Sequence, residues 1–265
     1  MSKEQEQRQL WKWYITLPYD IIINKEIKAM DFYTYFVLRK EINTLNHSWT
    51  ILLTTTKLKE ITGYNDNITL KKRLAKLKEK EFIEYDFENF PSGNKEFIIK
   101  VIPFTKNDVE RLGWGKQKQF EILDMELITK AVALFDSVIM QAKVIRLLYY
   151  FKRHYNNTFD SMGIHGYAVK SYKEITEDCC IQRSELNEIN KLLYENYLCE
   201  KIRGELVDNK YPKNRYIPNF IINTKTGERL YDNKHFTVRL NKENKEKEKK
   251  KKTQIRRKKI KSEST

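Results

Sequence analysis

The feature that most constrains this chain is an internal repeat. The tetrapeptide KEIT occurs at Lys59–Thr62 and again at Lys173–Thr176, an offset of 114 residues. Two further pairs of similar stretches flank it in the same order, VLRKEIN with YFKRHYN and KLKEKEFIE with KLLYENYLC, at offsets of 113 and 115. Ordered matches at nearly constant spacing indicate duplication. We therefore interpret the chain as two tandem homologous domains.

A length of 265 residues is enough for two ordinary domains. We assign residues 1–102 to the first domain and 120–240 to the second. Residues 103–119 form a polar linker, in which Gly113 and Gly115 flank Trp114. Residues 241–265 form a separate C-terminal tail.

The tail is strongly basic. It holds 12 Lys/Arg against 4 Glu, a net charge of +8 out of +15 for the whole chain. Ile255 and Ile260 are its only apolar residues, too few to bury a core. The composition predicts a disordered polybasic extension that attracts phosphate through counterion release. The remaining residues carry +7, so the basic character does not depend on the tail.

Several classes of protein are excluded or disfavoured. No apolar run approaches the length of a membrane span, and the polar start MSKEQEQRQL is not a secretory signal. Three cysteines and four scattered histidines lack zinc-site spacing, and Cys179–Cys180 are expected to be reduced thiols. Phosphate-binding, nucleophile-elbow and zinc-protease motifs are also missing. We therefore expect a cytoplasmic protein that is not an enzyme and needs neither metal nor cofactor.

Each unit predicts three helices followed by a two-stranded ribbon. In the first unit, Asp31–Asn43 has helical periodicity, and KLKEIT runs from hydroxyl caps at Thr54–Thr56 to a stop at Gly63. The strand patterns FIEYDFE and KEFIIKVI then flank a turn at NFPSGN. The third helix has a leucine stripe at Leu70, Leu74 and Leu77. We predict a mainly α fold with small β, consisting of two tandem winged helix-turn-helix domains.

The stretch TTTKLKEITGYNDNITLKKRLAKLKEKEFIEYD resembles the helix-turn-helix of winged-helix DNA-binding proteins. The opening LPYDIIINKEIKAMDFYTYFVLRKEIN, with a second winged unit after it, is similar to the replication initiators of bacterial plasmids and phages. The resemblance implies binding to origin repeats and recruitment of host replication proteins. The chain departs from the family pattern at Lys80–Glu81, where glycine commonly precedes FIE.

The third helix of the first unit is the expected DNA-reading helix. With its leucines facing the core, the opposite side should offer hydroxyl and cationic donors to base edges and phosphates. A solvated basic face without a ligand is the alternative. Lys71 and Lys78 flank the predicted face, and Lys95 follows the wing tip Asn89–Asn94. The residues predicted to face away from the core are Thr69, Lys72, Arg73 and Lys76.

The corresponding helix of the second unit is mixed in charge. Its predicted counterparts are Ser184, Asn187, Glu188 and Lys191, and Glu185 adds a second carboxylate. Its wing is more basic, with Lys201, Arg203, Lys210, Lys213 and Arg215. Either this unit binds DNA mainly through its wing, or it binds a protein or a second copy of the chain.

The predicted function is sequence-specific binding of double-stranded DNA, in the initiation of plasmid or phage replication as the resemblance implies. The expected partners are double-stranded DNA, host replication proteins and a second copy in a homodimer, with no membrane involved. A transcriptional or copy-number repressor would use the same fold. An RNA- or ribosome-associated basic protein is the alternative from another class. We expect the protein at the nucleoid or on a plasmid.

Overall fold

A computed structural model describes residues 14–44, 49–91, 95–102, 120–159, 165–202, 213–219, 221–222 and 229–230. Over these ranges the fold is mixed, with eight helices and small sheets of two to four strands. None of the helices in these ranges has both the length and the apolar composition needed to cross a bilayer. The linker 103–119 and the tail 241–265 lie outside the described residues.

The first half of the chain places two short helices between the first and second strands of a three-stranded sheet. Its strands β2 (Thr50–Leu53), β4 (Phe97–Val101) and β3 (Ile83–Glu84) pair antiparallel in that order. The elements are β1 (Tyr14–Pro18), α1 (Tyr19–Ile23), α2 (Ala29–Thr44), β2 (Thr50–Leu53), α3 (Thr55–Thr62), α4 (Asn67–Glu79), β3 (Ile83–Glu84) and β4 (Phe97–Val101).

The second half follows the same order with one added strand, β6 (Tyr155–Phe159). The order in its sheet is β6, β7 (His165–Lys170), β9 (Asn214–Pro218) and β8 (Cys199–Ile202), so β6 covers the edge of β7 that corresponds to the outer edge of β2. A hairpin of β10 (Ile221–Ile222) and β11 (Arg229–Leu230) follows. The elements are β5 (Phe120–Asp124), α5 (Met125–Val132), α6 (Val138–Arg153), β6 (Tyr155–Phe159), β7 (His165–Lys170), α7 (Tyr172–Cys179), α8 (Arg183–Glu195), β8 (Cys199–Ile202) and β9 (Asn214–Pro218).

Equivalent positions of α3 and α7 lie 117 residues apart. The hydroxyl of Thr54 accepts a hydrogen bond from the backbone N–H at the start of α3, and that of Ser171 does the same for α7. Gly63 (φ 72°) and Cys180 (φ 54°) end the two helices in the left-handed conformation. The two KEIT stretches, 114 residues apart, therefore occupy positions that differ by three residues. The offset inferred from them was wrong.

The helices α4 and α8 align at an offset of 116. Their buried stripes coincide, with Leu70, Leu74 and Leu77 in α4 and Leu186, Asn190 and Leu193 in α8. Glu81 and Tyr197, also 116 apart, both have φ of 59°. This left-handed residue precedes β3 in the first half and β8 in the second, in a conformation that glycine adopts more readily than other residues.

The strands β1 and β5 join the two halves. They pair antiparallel, with Tyr14 opposite Asp124, Thr16 opposite Ile122 and Pro18 opposite Phe120. Each strand leads directly into a helix, so the pairing is symmetric about its central pair, Thr16 and Ile122. The two strands are thus related by an approximate two-fold axis.

The helices next to this pairing share one core. One cluster of buried apolar side chains runs through both halves, from Ile15 in β1 to Tyr216 in β9. Arg146 of α6 is buried in it and donates hydrogen bonds to the carbonyl oxygens of Asn24 (2.8 Å) and Ile27 (2.7 Å). Because a buried guanidinium without such acceptors would be costly, these bonds fix the loop before α2 against α6.

Candidate nucleic-acid interface

The helices α3 and α4 are joined by the short segment 63–66 and are both capped at their N-termini. Asp66 caps α4, and its Oδ1 accepts a hydrogen bond from the backbone N–H of Thr69 at 2.6 Å. This hydrogen bond lowers the pKa of the Asp66 carboxyl below its ordinary value. Leu70, Leu74 and Leu77 are fully buried, as the sequence predicted, so the rotation of α4 about its axis is fixed.

The outward face of α4 is cationic. Lys71, Lys72 and Lys78 are exposed, and Thr69 and Lys76 are half-buried beside them. Among the described residues, Lys72 has no hydrogen-bond or ion-pair partner. Its ammonium group is therefore available to an anionic ligand.

Two lysines connect α4 to the segment that follows β3. The ammonium of Lys71 donates to Oδ1 of Asn89 at 2.9 Å. That of Lys78 donates to the carbonyl of Tyr85 at 2.6 Å and lies 4.3 Å from the centroid of its ring. These contacts place the expected wing beside the expected reading helix. Lys95 is exposed on the chain leading into β4, and residues 92–94 of the wing tip lie outside the described residues.

Arg73 does not face away from the core, so this part of the predicted face was wrong. Its Nη1 lies 3.0 Å from Oδ1 of Asp31 on α2, and the two side chains are 28 % and 4 % exposed. Arg73 follows Leu70 by three residues, which places it only about 60° around the helix from that leucine. The equivalent position in α8 is Ile189, which is fully buried.

Lys76 lies at the edge of the cationic face among carboxylates. Its ammonium is 3.0 Å from Glu79 and 3.6 Å from Glu26. Lys80 also pairs with Glu26, which lowers the pKa of that carboxyl. Lys76 is thus partly neutralised, and the lysines of α4 without a carboxylate partner are Lys71, Lys72 and Lys78.

The face of α8 differs from that of α4 at nearly every equivalent position. Ser184, Asn187, Glu188 and Lys191 are all exposed, as the prediction required. With the offset of 116, however, Glu188 corresponds to Lys72 and not to Arg73, and Asn187 corresponds to Lys71. The positions predicted to match were one residue out of register.

Glu185 is engaged within the protein. It completes a capping box with Gln182, and its Oε1 pairs with the ammonium of Lys143 on α6. Its charge is therefore compensated, and Glu188 is the carboxylate of this group that remains exposed on α8. The repulsion of phosphate by this face is smaller than the sequence suggested.

A tyrosine organises the polar side chains of the second half. The hydroxyl of Tyr172 accepts hydrogen bonds from Lys201 Nζ (2.8 Å) and Asn190 Nδ2 (3.3 Å), and donates to Asn187 Oδ1 (2.8 Å). Its donor and both acceptor sites are used. Because the side-chain oxygen of Asn187 is bound, its amide N–H groups are what it offers to a ligand. Nothing in the sequence pattern singled out Tyr172.

Three of the five cations of the predicted second wing lie in the described residues: Lys201, which is bound to Tyr172, and Lys213 and Arg215. Lys213 is exposed, with its ammonium 4.0 Å from Glu174. The guanidinium of Arg215 lies 5.4 Å from the ring centroid of Tyr167 and is half-buried. Arg203 and Lys210 lie outside the described residues.

One exposed residue of α4 was overlooked in the sequence. Ile68 is 83 % exposed on the first turn of the helix. It precedes Leu70 by two residues, a rotation of about 200°, so the leucine stripe alone places it on the outward face.

No group of three His, Cys, Asp or Glu side chains in the described part of the chain is arranged to hold a metal ion.

No protein-family model matches this sequence, and no curated protein matches it either.

Proposed function

We propose that this protein binds double-stranded DNA sequence-specifically through two tandem winged helix-turn-helix units. Two helices lie between β2 and β3 in the first half and between β7 and β8 in the second, and the strand that follows, β4 or β9, lies between those two strands in its sheet. That order is the one expected of a winged helix, with α4 and α8 as the reading helices. A helix of this kind fits the major groove of duplex DNA.

The observation that carries the proposal is the outward face of α4. Lys71 and Lys72 stand on a helix whose opposite side is anchored by three buried leucines, and Lys71 is hydrogen-bonded to the neighbouring wing segment. Cations held on a rigid, capped helix can meet phosphates in a defined register while neighbouring side chains contact base edges. The net charge of +15 adds long-range attraction to a polyanion.

The first experiment is a selection of bound duplexes from a random DNA pool by the full-length protein, followed by competition with duplex RNA at about 0.15 M salt. We expect enrichment of one sequence, and a preference for that duplex over RNA by orders of magnitude, because the A-form major groove is too deep and narrow for a helix. Equal affinity for both nucleic acids would favour an RNA-associated protein instead.

We assign to this binding activity the initiation of plasmid or phage replication at origin repeats, with host replication proteins as further partners. The support is the sequence resemblance of the opening segment and of the tandem units. The proposed role consists of binding alone and calls for no cofactor.

The role is tested with a plasmid that carries the coding region, its flanking DNA and no other origin. Autonomous replication that is lost in a Lys71→Glu/Lys72→Glu variant would support initiation. Repression of the adjacent promoter without replication would identify a transcriptional or copy-number repressor.

A further inference from the structure

Among the described residues, Ile68 is the most exposed of the large apolar side chains. It is 83 % exposed, against 54 % for Leu52, the next in order. Burial cannot explain an isoleucine at this position, since the free protein leaves it in water. The fold does not require it either, because the equivalent residue of α8 is Ser184.

The neighbours of Ile68 on the outward face are cations and one small residue. Residues three, four and seven positions later share its side of the helix. They are Lys71, Lys72 and Ala75, all exposed. The centre of this face therefore presents methyl groups from Ile68 and Ala75, with ammonium groups beside them. Ala75 is also small enough to let the helix axis approach a ligand closely.

We propose that Ile68 reads the 5-methyl groups of thymine in the major groove, which deepens the proposed function and rests on it. The thymine methyl is the apolar group on the major-groove edges of the base pairs, so an apolar side chain distinguishes thymine there without a hydrogen bond. The charges complement each other, because lysines beside Ile68 meet the phosphates that border the groove. The first half thus selects sites with thymine under the first turn of α4.

The test removes one methyl group at a time. In the duplex selected by the full-length protein, each thymine is replaced singly by deoxyuridine, which differs only in lacking the 5-methyl group. For the wild type, we expect one or two positions at which this replacement weakens binding about fourfold, the value of burying one methyl group. In Ile68→Ala, the thymine and deoxyuridine duplexes should bind equally at those positions.

Ile139→Ala is the matched control, since Ile139 is also the second residue of its helix and is 48 % exposed. It should keep the wild-type response to deoxyuridine. Ile68→Ser is a second replacement, used in case one variant unfolds, and serine is the residue that α8 has at the equivalent position. Circular dichroism and thermal unfolding verify that the variants are folded.

The outcomes separate this inference from the proposed function. If the wild type selects a duplex but no thymine responds, or if Ile68→Ala responds as the wild type does, the role of Ile68 is refuted while DNA binding stands. Loss of the response in Ile139→Ala would refute it as well, because the effect would not belong to Ile68. A wild type that selects no duplex would overturn both.

Discussion

The guanidinium of Arg73 lies 3.0 Å from the carboxylate of Asp31 and joins α4 to α2. The second half has an ion pair between the corresponding helices, in which Lys143 of α6 contacts Glu185 of α8. The cation is on the outward-facing helix in the first half and on the supporting helix in the second. Each half thus fixes its outward-facing helix with a charge pair, and these charges are not available to a ligand.

Replacing Arg73 with Ala is expected to destabilise the protein by about 2 kcal/mol. Asp31 would remain buried without its partner, while the partial exposure of Arg73 keeps the cost below that of breaking a fully buried pair. Urea unfolding of the variant measures the loss. The double variant Asp31→Asn/Arg73→Met should recover part of the stability, because it removes both charges. A stable Arg73→Ala variant with weakened DNA binding would contradict this assignment and identify Arg73 as a DNA contact.

Replacing Lys72 with Gln is expected to weaken binding to all duplexes alike and to lower the slope of log affinity against log salt by about one. The reason is the loss of one cation available to phosphate. The control is Lys130→Gln, since Lys130 lies on α5 and pairs with Glu126 at 2.7 Å. Titrations at several salt concentrations give both slopes. An unchanged slope for Lys72→Gln, or an equal decrease in the control, would contradict a phosphate contact at Lys72.

Replacing Tyr172 with Phe is expected to cost about 1–3 kcal/mol of stability. The hydroxyl binds three side chains, and Asn190, one of them, is buried and would lose its partner. Tyr194→Phe is the control, because Tyr194 lies on the same helix as Asn190 and is more exposed. Urea unfolding compares the two variants. If both are as stable as the wild type, the network around Tyr172 contributes no stability.

The stability of the protein is expected to fall as the pH decreases from about 6.5 to 4, in part through His154. Burial is the main cause that lowers the pKa of His154 from its ordinary value of 6.5 to about 4, and the cations Lys170 and Arg153 act in the same direction. The carboxylates of Asp178 and Glu174 raise this pKa but are outweighed. Its Nε2 also lies 3.2 Å from the hydroxyl of Tyr19. Between these two values the unfolded chain binds a proton that the folded protein excludes, so acid favours unfolding.

His154→Gln isolates this contribution from the titrating carboxylates. Urea unfolding at several pH values between 7 and 4 should show a smaller decrease for the variant than for the wild type. Identical pH profiles would mean that His154 is protonated equally well in both states.

Local signals in the sequence predicted local structure well. The leucine stripe of α4, the cap at Thr54 and the left-handed stop at Gly63 are all confirmed, since each depends on residues within one or two turns of helix. The pairing of β1 with β5 was not foreseen, because it joins strands about 106 residues apart and neither strand alone indicates its partner. The prediction of a two-stranded ribbon in each unit was wrong, since the sheets have three and four strands: β2, β6 and β7 were missed because each pairs with a strand that is distant in the sequence or lies outside the ribbon pattern.

The errors at the candidate interface came from register. Matching the repeats on KEIT and its neighbours shifted α8 by one residue against α4, which paired Glu188 with Arg73. A shift of one residue rotates a helix position by about 100°, enough to exchange a buried site for an exposed one. Arg73 was also misjudged because residue type suggested exposure, whereas its spacing from Leu70 placed it at the border of the core.

The pairing of β1 with β5 gives one chain the geometry of a dimer. In a symmetric homodimer every substitution is present twice, so both subunits must change together. Here a substitution on α4 leaves α8 as it was, and equivalent positions carry Lys71 and Lys72 in one half but Asn187 and Glu188 in the other. Because the halves are covalently joined, their association does not depend on protein concentration. Covalent linkage thus removes both the requirement that the two halves be identical and the dilution limit that a dimer of separate subunits would face.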